Sequence, residues 1–459
     1  MTTLPVMRDW EWQDGTDVGD FATSTAAGND GSVVLAGSTD GNWDGTSLGF
    51  GDFAAVKLGS DGTVEWRWQN GTSTFDFVQE AVVGQDGSVF IFGGTLGDWQ
   101  NANFGSSDFI VIKLDSGGNF VWGWQGGTVE FEYAVGGAVL SDGSVFYVGT
   151  TEGDWGGTAS GGSDFVGGMI SADGDKLWQW LEGSGANEIA MSACLGEGDT
   201  IVIAGYTDGD WAEDSAGGND FAAMKVDNGG TILWRWQDGT NAVDLIRDCA
   251  VGSDGSIYLG GQTHGAWNTN NGGTADFAAV KLDSAGNEVW RWQEGTSGTD
   301  VIRGVTVAED GSLYLAGTTS GAWVAHNAEG TDLALAKLDP TGAVIWRWQE
   351  GSTSDAVLGG FVTGPAGMLY CGLGVDGDWY STSKGDFDFA IVAFTDSAST
   401  TAAESPTPSP LSTSTRWRAS FKYRRHPLSP RALLSLQVRR DLPPSRTLRL
   451  LVVRSQGLS

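Results

Sequence analysis

A tryptophan inside a Gly-x-Trp segment recurs seven times in this 459-residue chain and carries the side chain best suited to binding chemistry. The seven copies are Trp43, Trp99, Trp155, Trp211, Trp267, Trp323 and Trp379. An aspartate directly precedes four of them, namely Asp98, Asp154, Asp210 and Asp378. An indole offers a large flat apolar face, and a carboxylate accepts hydrogen bonds from hydroxyl groups. These residues therefore predict shallow aromatic and acidic sites for sugars. The alternative interpretation is that each loop tryptophan folds back and caps its own repeat.

A second tryptophan motif, Trp-x-Trp, sets the frame in which these residues must be positioned. It begins at Trp10, Trp66, Trp122, Trp178, Trp234, Trp290 and Trp346, with a constant spacing of 56 residues. Seven copies of 56 residues make 392 residues, and a fixed period of this length is typical of stacked repeat architectures.

Each repeat contains four short apolar or alternating segments bounded by glycine turns, which predict strands. In the first repeat these segments are 20–27, 32–37, 52–58 and 63–68, with a longer loop at 38–51 that contains Trp43. Four antiparallel strands repeated seven times predict an all-β, seven-bladed β-propeller. No eighth Trp-x-Trp follows the last third strand. We therefore expect the N-terminal strand with Trp10 and Trp12 to complete the last blade and close the ring.

The order of strands predicts which loops share a face of the ring. In a four-stranded meander, the loop after the second strand and the connection to the next blade emerge together, whereas the tight turns emerge opposite. The seven loop tryptophans should thus lie on the face with the longer loops. Loops on a rigid scaffold commonly carry function.

Two family resemblances follow from these motifs. The segment Asp276 to Asp283, together with the recurring Gly-Ser-Val-Tyr/Phe-x-x-Gly-x-Thr pattern, resembles the bacterial seven-bladed β-propeller repeat abbreviated SBBP. That resemblance implies a secreted or surface location and no agreed biochemical activity. The segment from Lys281 to Trp290 is similar to the tryptophan-docking motif of quinone-dependent propeller enzymes, which usually have eight blades and hold their cofactor in insertions absent from these repeats.

Other recurring residues have structural interpretations. The two rings of each Trp-x-Trp pair share a strand face and are expected to wedge between neighbouring blades. The residue between the two rings varies and is expected to face solvent; it is Glu11, Arg67, Gly123, Gln179, Arg235, Arg291 or Arg347.

An aspartate precedes the third strand in all seven copies. The seven residues are Asp52, Asp108, Asp164, Asp220, Asp276, Asp332 and Asp388. A side chain at a boundary between a loop and a strand is suited to accept hydrogen bonds from loop amides. Calcium binding is the alternative. We expect no other cofactor and no metal site.

Charge divides the chain into two parts. Residues 402–459 carry 11 Lys and Arg side chains against two acids, and the other 401 residues carry 14 basic and 56 acidic side chains. So acidic a body should repel nucleic acid and anionic membranes. There is also no apolar run of 18 residues that could span a bilayer. We predict a monomeric propeller at 1–400 and a basic tail at 401–459. The tail is either a disordered arm that contacts an anionic partner or the acidic face of the ring, or sequence that a gene model includes beyond the true exon. The three cysteines, Cys194, Cys249 and Cys371, are expected to be buried free thiols.

Motifs for catalysis are not apparent in the sequence. It contains no Gly-x-Ser-x-Gly elbow, no His-Glu-x-x-His and no phosphate-binding loop, and no catalytic residue is assigned. The predicted function is a non-enzymatic scaffold that presents an acidic, tryptophan-bearing loop face to a glycan or protein. The alternative is a hydrolase or lyase acting on polysaccharide with carboxylates in the central channel. A quinone-dependent propeller enzyme is a further alternative.

Overall fold

Each 56-residue repeat folds as one four-stranded antiparallel sheet, and seven sheets form the blades of a propeller. The computed structural model describes residues 6–268, 271–324, 330–351, 356–377, 382–385 and 387–396, and beyond these 415–416, 421–423, 434–436 and 450–451. The predicted all-β, seven-bladed architecture is confirmed.

The strands follow one another from the inner to the outer edge of each blade. Blades 1 to 3 comprise β2 (Asp20–Ala27), β3 (Val33–Thr39), β4 (Asp52–Leu58), β5 (Val64–Asn70); β6 (Asp76–Val83), β7 (Val89–Thr95), β8 (Asp108–Leu114), β9 (Phe120–Gly126); and β10 (Glu132–Val139), β11 (Val145–Thr151), β12 (Asp164–Ile170), β13 (Lys176–Glu182). Blades 4 to 6 comprise β14 (Glu188–Leu195), β15 (Ile201–Thr207), β16 (Asp220–Val226), β17 (Ile232–Asp238); β18 (Asp244–Val251), β19 (Ile257–Thr263), β20 (Asp276–Leu282), β21 (Glu288–Glu294); and β22 (Asp300–Val307), β23 (Leu313–Thr319), β24 (Asp332–Leu338), β25 (Val344–Glu350). Blade 7 comprises β26 (Ala356–Thr363), β27 (Met368–Val375), β28 (Asp388–Asp396) and β1 (Val6–Asp14), with a 3-10 turn at Pro365–Gly367.

The two ends of the ring meet in blade 7. Strand β1 pairs antiparallel with β28, and the register places Trp10 opposite Ala393 and Trp12 opposite Ile391. The N-terminal strand thereby supplies the outer strand of the last blade, as the missing eighth Trp-x-Trp motif predicts. This pairing covers the edge that β28 would otherwise expose.

The hydrophobic core lies between the blades. One cluster joins Phe53, Ala55 and Trp68 of blade 1 to Ile91 and Ile110 of blade 2. The first ring of each pair crosses the same junction, because Trp66 Nε1 donates to Ser116 O of blade 2 over 3.1 Å. Equivalent bonds to the next blade are made by Trp10, Trp122, Trp234 and Trp290. The predicted wedge role of the Trp-x-Trp pairs is thus confirmed.

The cysteines correct the expectation of three free thiols. Cys194 of β14 and Cys249 of β18 form a disulfide between blades 4 and 5, and Cys371 is free and buried. The two paired residues are 55 positions apart, one fewer than the repeat. Because neighbouring strand positions point to opposite faces, this offset lets the two side chains face each other across the junction.

The described residues of the C-terminal region form four short strands. A two-residue strand, β29 (Thr415–Arg416), pairs with Ser24 and Thr25 on the inner edge of blade 1. A separate unit, Trp417–Ser459, contains a small antiparallel sheet of β30 (Phe421–Tyr423), β31 (Leu434–Leu436) and β32 (Leu450–Leu451). The domain limits 1–400 and 401–459 and the disorder of the tail stay predictions. Within the described residues, no helix has the length and apolarity needed to cross a membrane.

Candidate functional site

The loops after the second strands and the connections between blades lie together on one face of the ring, which we call the loop face. Short parallel bridges join the two kinds of segment. Phe50 pairs with Phe75, Ser107 with Phe131, Asn219 with Val243 and Ala275 with Thr299. The predicted grouping of the long connections on one face is therefore confirmed.

The loop tryptophans lie on this face but turn toward the preceding blade. Trp99 of blade 2 packs on Phe53 of blade 1, with 5.7 Å between ring centroids. Five other copies make the same contact at 4.7–5.2 Å, namely Trp43 on Phe389, Trp155 on Phe109, Trp211 on Phe165, Trp267 on Phe221 and Trp323 on Phe277. The ring contacts its own blade as well, since Trp99 packs on Phe120 at 6.1 Å, and it therefore joins two blades. Trp379 and Asp378 lie outside the described residues.

A glutamine that the sequence analysis overlooked holds the loop in place in blades 1, 2, 4, 5 and 6. Gln69, which follows Trp68, accepts hydrogen bonds from the Trp43 and Asp44 amides at 2.8 and 3.0 Å. Its amide group donates to Gly41 O and to Asp52 Oδ2, each at 2.8 Å. The signal was present in the sequence, since the same position holds Gln13, Gln125, Gln237, Gln293 and Gln349, and only the blade 3 copy differs, with Leu181.

Where the residue between the paired tryptophans is arginine, it stays partly exposed, as expected, but its guanidinium stacks on the loop tryptophan. The Arg67 guanidinium lies 5.7 Å from the ring centre of Trp43 and pairs with Asp14 of blade 7 at 2.5 Å. Arg291 lies 4.8 Å from the Trp267 ring and 2.7 Å from an Asp238 oxygen. Each stacked arginine therefore covers its own loop tryptophan and ties it to the preceding blade.

The aspartates beside the loop tryptophans have a local role. Asp98, Asp154 and Asp210 are exposed, and each accepts a hydrogen bond from the amide five residues ahead, at 2.8–2.9 Å. These bonds shape the loop. Apart from the buried Trp155, the described loop tryptophans are partly exposed. Sugar binding at these side chains stays a prediction.

The aspartates that precede the third strands also bind the loops. Asp52 Oδ2 accepts the Leu48 amide at 3.0 Å, and Asp164 Oδ2 accepts the Ser160 amide at 2.7 Å. The prediction that they bind loop amides is confirmed. Among the residues that the structure describes, no group of three His, Cys, Asp or Glu side chains could hold a metal ion. Calcium binding stays an untested alternative.

The loop face departs from sevenfold symmetry in blades 1 to 3. Here aromatic side chains at the start of the inner strands, and in the connections before these strands, contact one another. Phe75 stacks on Phe77 at 5.8 Å, Phe77 on Tyr133 at 6.1 Å, and Tyr133 on Phe131 at 6.4 Å. The copies that follow in blades 4 to 6 hold Ile189, Leu245 and Val301 where Phe77 and Tyr133 stand.

Exposed apolar side chains continue this aromatic row onto the surface. Phe50 is 65% exposed, Phe104 is 49% exposed and Val129 is 78% exposed. Phe50 adjoins Phe75 through the backbone bridge, and Val129 lies against Gly105 beside Phe104. We call this group of seven residues, in which Phe77 and Tyr133 are buried and support the others, the aromatic sector: Phe50, Phe75, Phe77, Phe104, Val129, Phe131 and Tyr133. The signal in the sequence was a departure from the repeat, since Ser106, Gly162 and Gly218 replace Phe50 in the next copies.

Acidic groups border the aromatic sector. Asp40, Asp44, Asp98 and Glu130 are exposed in the same loops. The pKa of the Asp40 carboxyl group lies above its usual value. Partial burial of the group and the nearby Asp52 charge raise this pKa more than the hydrogen bond from the Gly51 amide lowers it. The surface thus combines aromatic rings with an acidic rim.

Nearby basic side chains are held by a single acid. Arg67 and Lys384 both pair with Asp14, and these contacts hold the pKa of Asp14 below its usual value although burial acts to raise it. Asp14 therefore carries the two nearest cations, and Arg67 also acts on Asp44 of the acidic rim.

Comparisons with known proteins bear on the fold alone. No family model matches the chain, and no curated protein matches it. The SBBP resemblance is therefore supported only at the level of a seven-bladed propeller. YCF48 bound to D1 peptide is similar over 88% of this chain and 99% of its own, at 11% identity and a TM-score of 0.45. The β-propeller domain of the Trilobed protease from Pyrococcus furiosus matches over 82% and 94%, at 10% identity and a TM-score of 0.44. A PL25 ulvan lyase bound to its sugar matches over 83% and 95%, at 11% identity and a TM-score of 0.45.

Proposed function

We propose that this propeller is a non-enzymatic binding scaffold that presents its loop face to a glycan or protein. The observation that carries the proposal is the aromatic sector, where Phe50, Phe104 and Val129 are exposed together in the loops of one face, next to a row of contacting aromatic rings. Clustered exposed apolar side chains with a polar rim are typical of interaction surfaces.

A glycan without acidic groups is the ligand class that this surface favours. Flat rings such as Phe50 and Phe104 offer apolar faces to the C–H faces of a sugar. The carboxylates of Asp40, Asp44 and Asp98 can accept hydrogen bonds from hydroxyl or amino groups. A polyanionic glycan would meet the repulsion of the acidic rim. The partly exposed edge of Trp99 would extend the same surface.

The competing enzymatic function would require accessible carboxylates. Glu80 and Asp248 are the acids in the inner strands nearest the middle of their sheets, and both are fully buried. Glu80 accepts the Gly137 amide at 2.8 Å, and Asp248 accepts the Val305 amide at 2.7 Å. Both thus join one blade to the next, which favours a scaffold over a hydrolase or lyase.

The test is glycan-array binding of the full chain, together with an assay for reducing ends and unsaturated products. We expect binding of neutral or amino-substituted glycans without turnover, and at least tenfold weaker binding for Phe50→Ala combined with Phe104→Ala. The matched control is Leu177→Ala combined with Leu233→Ala, which removes equally exposed apolar side chains from the outer strands of blades 3 and 4. Product release by the wild type, or equal losses in both double variants, would overturn the proposal.

A further inference from the structure

Two buried carboxyl groups face each other at six of the seven blade junctions. One is the aspartate that begins the third strand of a blade, and the other is the acid that begins the first strand of the next blade. The pairs are Asp388 with Asp20, Asp52 with Asp76, Asp108 with Glu132, Asp164 with Glu188, Asp220 with Asp244, and Asp276 with Asp300. All twelve side chains are fully buried. The seventh junction has only Asp332, because Ala356 replaces the second acid.

A glycine brings the two carboxyl groups of each pair close together. A Cβ atom added to Gly71 would lie 2.6 Å from Asp52 Oδ1 and 2.8 Å from Asp76 Oδ2, so these oxygens are at most 5.4 Å apart. A side chain at this position would therefore collide with both carboxyl groups. Glycine occupies the same position in all seven repeats, at Gly15, Gly71, Gly127, Gly183, Gly239, Gly295 and Gly351.

The hydrogen-bond donors at these pairs are neutral, as the junction between blades 1 and 2 illustrates. Asp76 accepts bonds from the Thr72 amide at 2.5 Å, from Thr72 Oγ1 at 3.2 Å and from Thr95 Oγ1. Asp52 accepts bonds from Leu48 and Gln69 through Oδ2 only.

Several carboxylate oxygens at the junctions have no hydrogen-bond partner. Asp52 Oδ1 is buried and has no hydrogen-bond partner, and the same holds for Oδ1 of Asp164 and Asp220. Two buried carboxylates this close repel each other, and a proton on one of them removes the repulsion.

We propose that the six carboxyl pairs are proton-binding joints that take up protons as the pH falls, so that acidification tightens the ring. Acids also lie next to the joint between blades 1 and 2 and the joint between blades 2 and 3. Asp40 lies near Asp52, and Asp98 lies near Asp108. Among the described residues, no ion pair involves a member of either joint, so the proton is the counter-charge.

The pKa values of the paired acids agree with this geometry. Burial raises the pKa of Asp20 and of Asp76 to about 6 and that of Glu132 to about 7, with the facing carboxylate adding to the rise. The surrounding threonine donors act in the opposite direction but do not cancel it. A pKa that is higher in the folded protein means that folding binds protons. The resulting stabilisation is complete below about pH 4 and is lost as the pH rises through 6 to 7.

The experiment compares guanidinium unfolding of the full chain at pH 5 and pH 8. A pKa of about 6 for Asp76 in the folded protein corresponds to about a 10-fold larger unfolding constant at pH 8 than at pH 5 from that residue alone. Asp76→Asn and Glu132→Gln mimic the protonated acids, and threonine hydroxyls can accept as well as donate. Asp76→Asn should therefore lose about 10-fold of the pH dependence, and Glu132→Gln should lose more, because the pKa of Glu132 is about 7.

Asp332→Asn provides the matched control, because it removes an acid from the junction that lacks a pair. We expect it to change the unfolding constant by the same factor at both pH values. Wild-type unfolding in a weakly buffered solution at pH 6 should also release protons, which needs no variant to fold. Unfolding that is equally or less favourable at pH 8 than at pH 5, or that takes up protons at pH 6, would refute the proposal. If millimolar calcium stabilised the wild-type protein at pH 8 and did not stabilise Asp76→Asn, the pairs would instead be metal-binding sites.

Discussion

Replacing Gln293 by leucine tests whether the glutamine after each Trp-x-Trp pair is what holds the loop face together. Gln293 is buried, and its side chain makes four hydrogen bonds to residues that the structure describes. It accepts from the Trp267 and Asn268 amides at 2.9 and 2.8 Å, and it donates to Gly265 O at 3.0 Å and to Asp276 Oδ2 at 2.9 Å. Leucine keeps the size of the side chain and removes all four bonds.

The expected cost follows from these bonds. Three bonds to neutral groups contribute about 1 kcal/mol each, and the bond to the Asp276 carboxylate contributes about 2 kcal/mol. Burial of the leucine side chain returns about 2 kcal/mol. The free energy of unfolding should therefore fall by about 3 kcal/mol. With an unfolding entropy of about 2.1 cal/mol/K per residue over the ring, this lowers the melting temperature by about 4 °C.

The assay is differential scanning calorimetry combined with limited proteolysis of the loop that carries Trp267. Blade 3 offers a natural control, because it already holds Leu181 at the equivalent position. Leu181→Gln should leave the melting temperature unchanged or raise it. If Gln293→Leu melts at the wild-type temperature and its loop is cleaved no faster, the glutamine is not the anchor that the structure indicates.

Two further predictions concern the junctions between blades. Trp236→Ala should lower the free energy of unfolding by about 3–5 kcal/mol, as truncations of packed aromatic side chains do, and chemical denaturation measures it. Cys249→Ser should cost about 4 kcal/mol, because the lost disulfide to Cys194 closes a 55-residue separation. Alkylation of the denatured protein should modify only Cys371 before reduction and all three cysteines after it, and modification of three without reductant would contradict the pairing.

The fold could be read from the sequence because the repeat is free of insertions. With a constant period, each strand prediction is tested seven times, and the segments 20–27 and 52–58 coincide with β2 and β4. Ring closure by Trp10 followed from counting motifs alone. Only the ends of the strands differ, since the fourth strand of blade 1 is Val64–Asn70 instead of 63–68.

Contacts between blades could not be read in the same way. The sequence places Trp99 in a loop of blade 2, but it does not reveal that the ring leans back onto Phe53, because that direction depends on how neighbouring sheets are staggered. The same limit applies to Arg67, whose partners Trp43 and Asp14 belong to its own blade and to the preceding blade. The disulfide was missed because the pairing of cysteines across two sheets depends on the faces that their strands turn to each other.

The repeat itself explains why the most conspicuous residues proved to be structural. A residue present in every blade must serve a need common to all blades, and that need is the joint between sheets. Trp66, Gln69 and Gly71 each satisfy one part of it, through a hydrogen bond to the next blade, an anchor for the loop and room for the paired acids. A ligand, by contrast, occupies one place on the ring and requires residues that differ between copies. Phe50 and Phe104 meet that condition, and so the departures from the repeat direct the search for function.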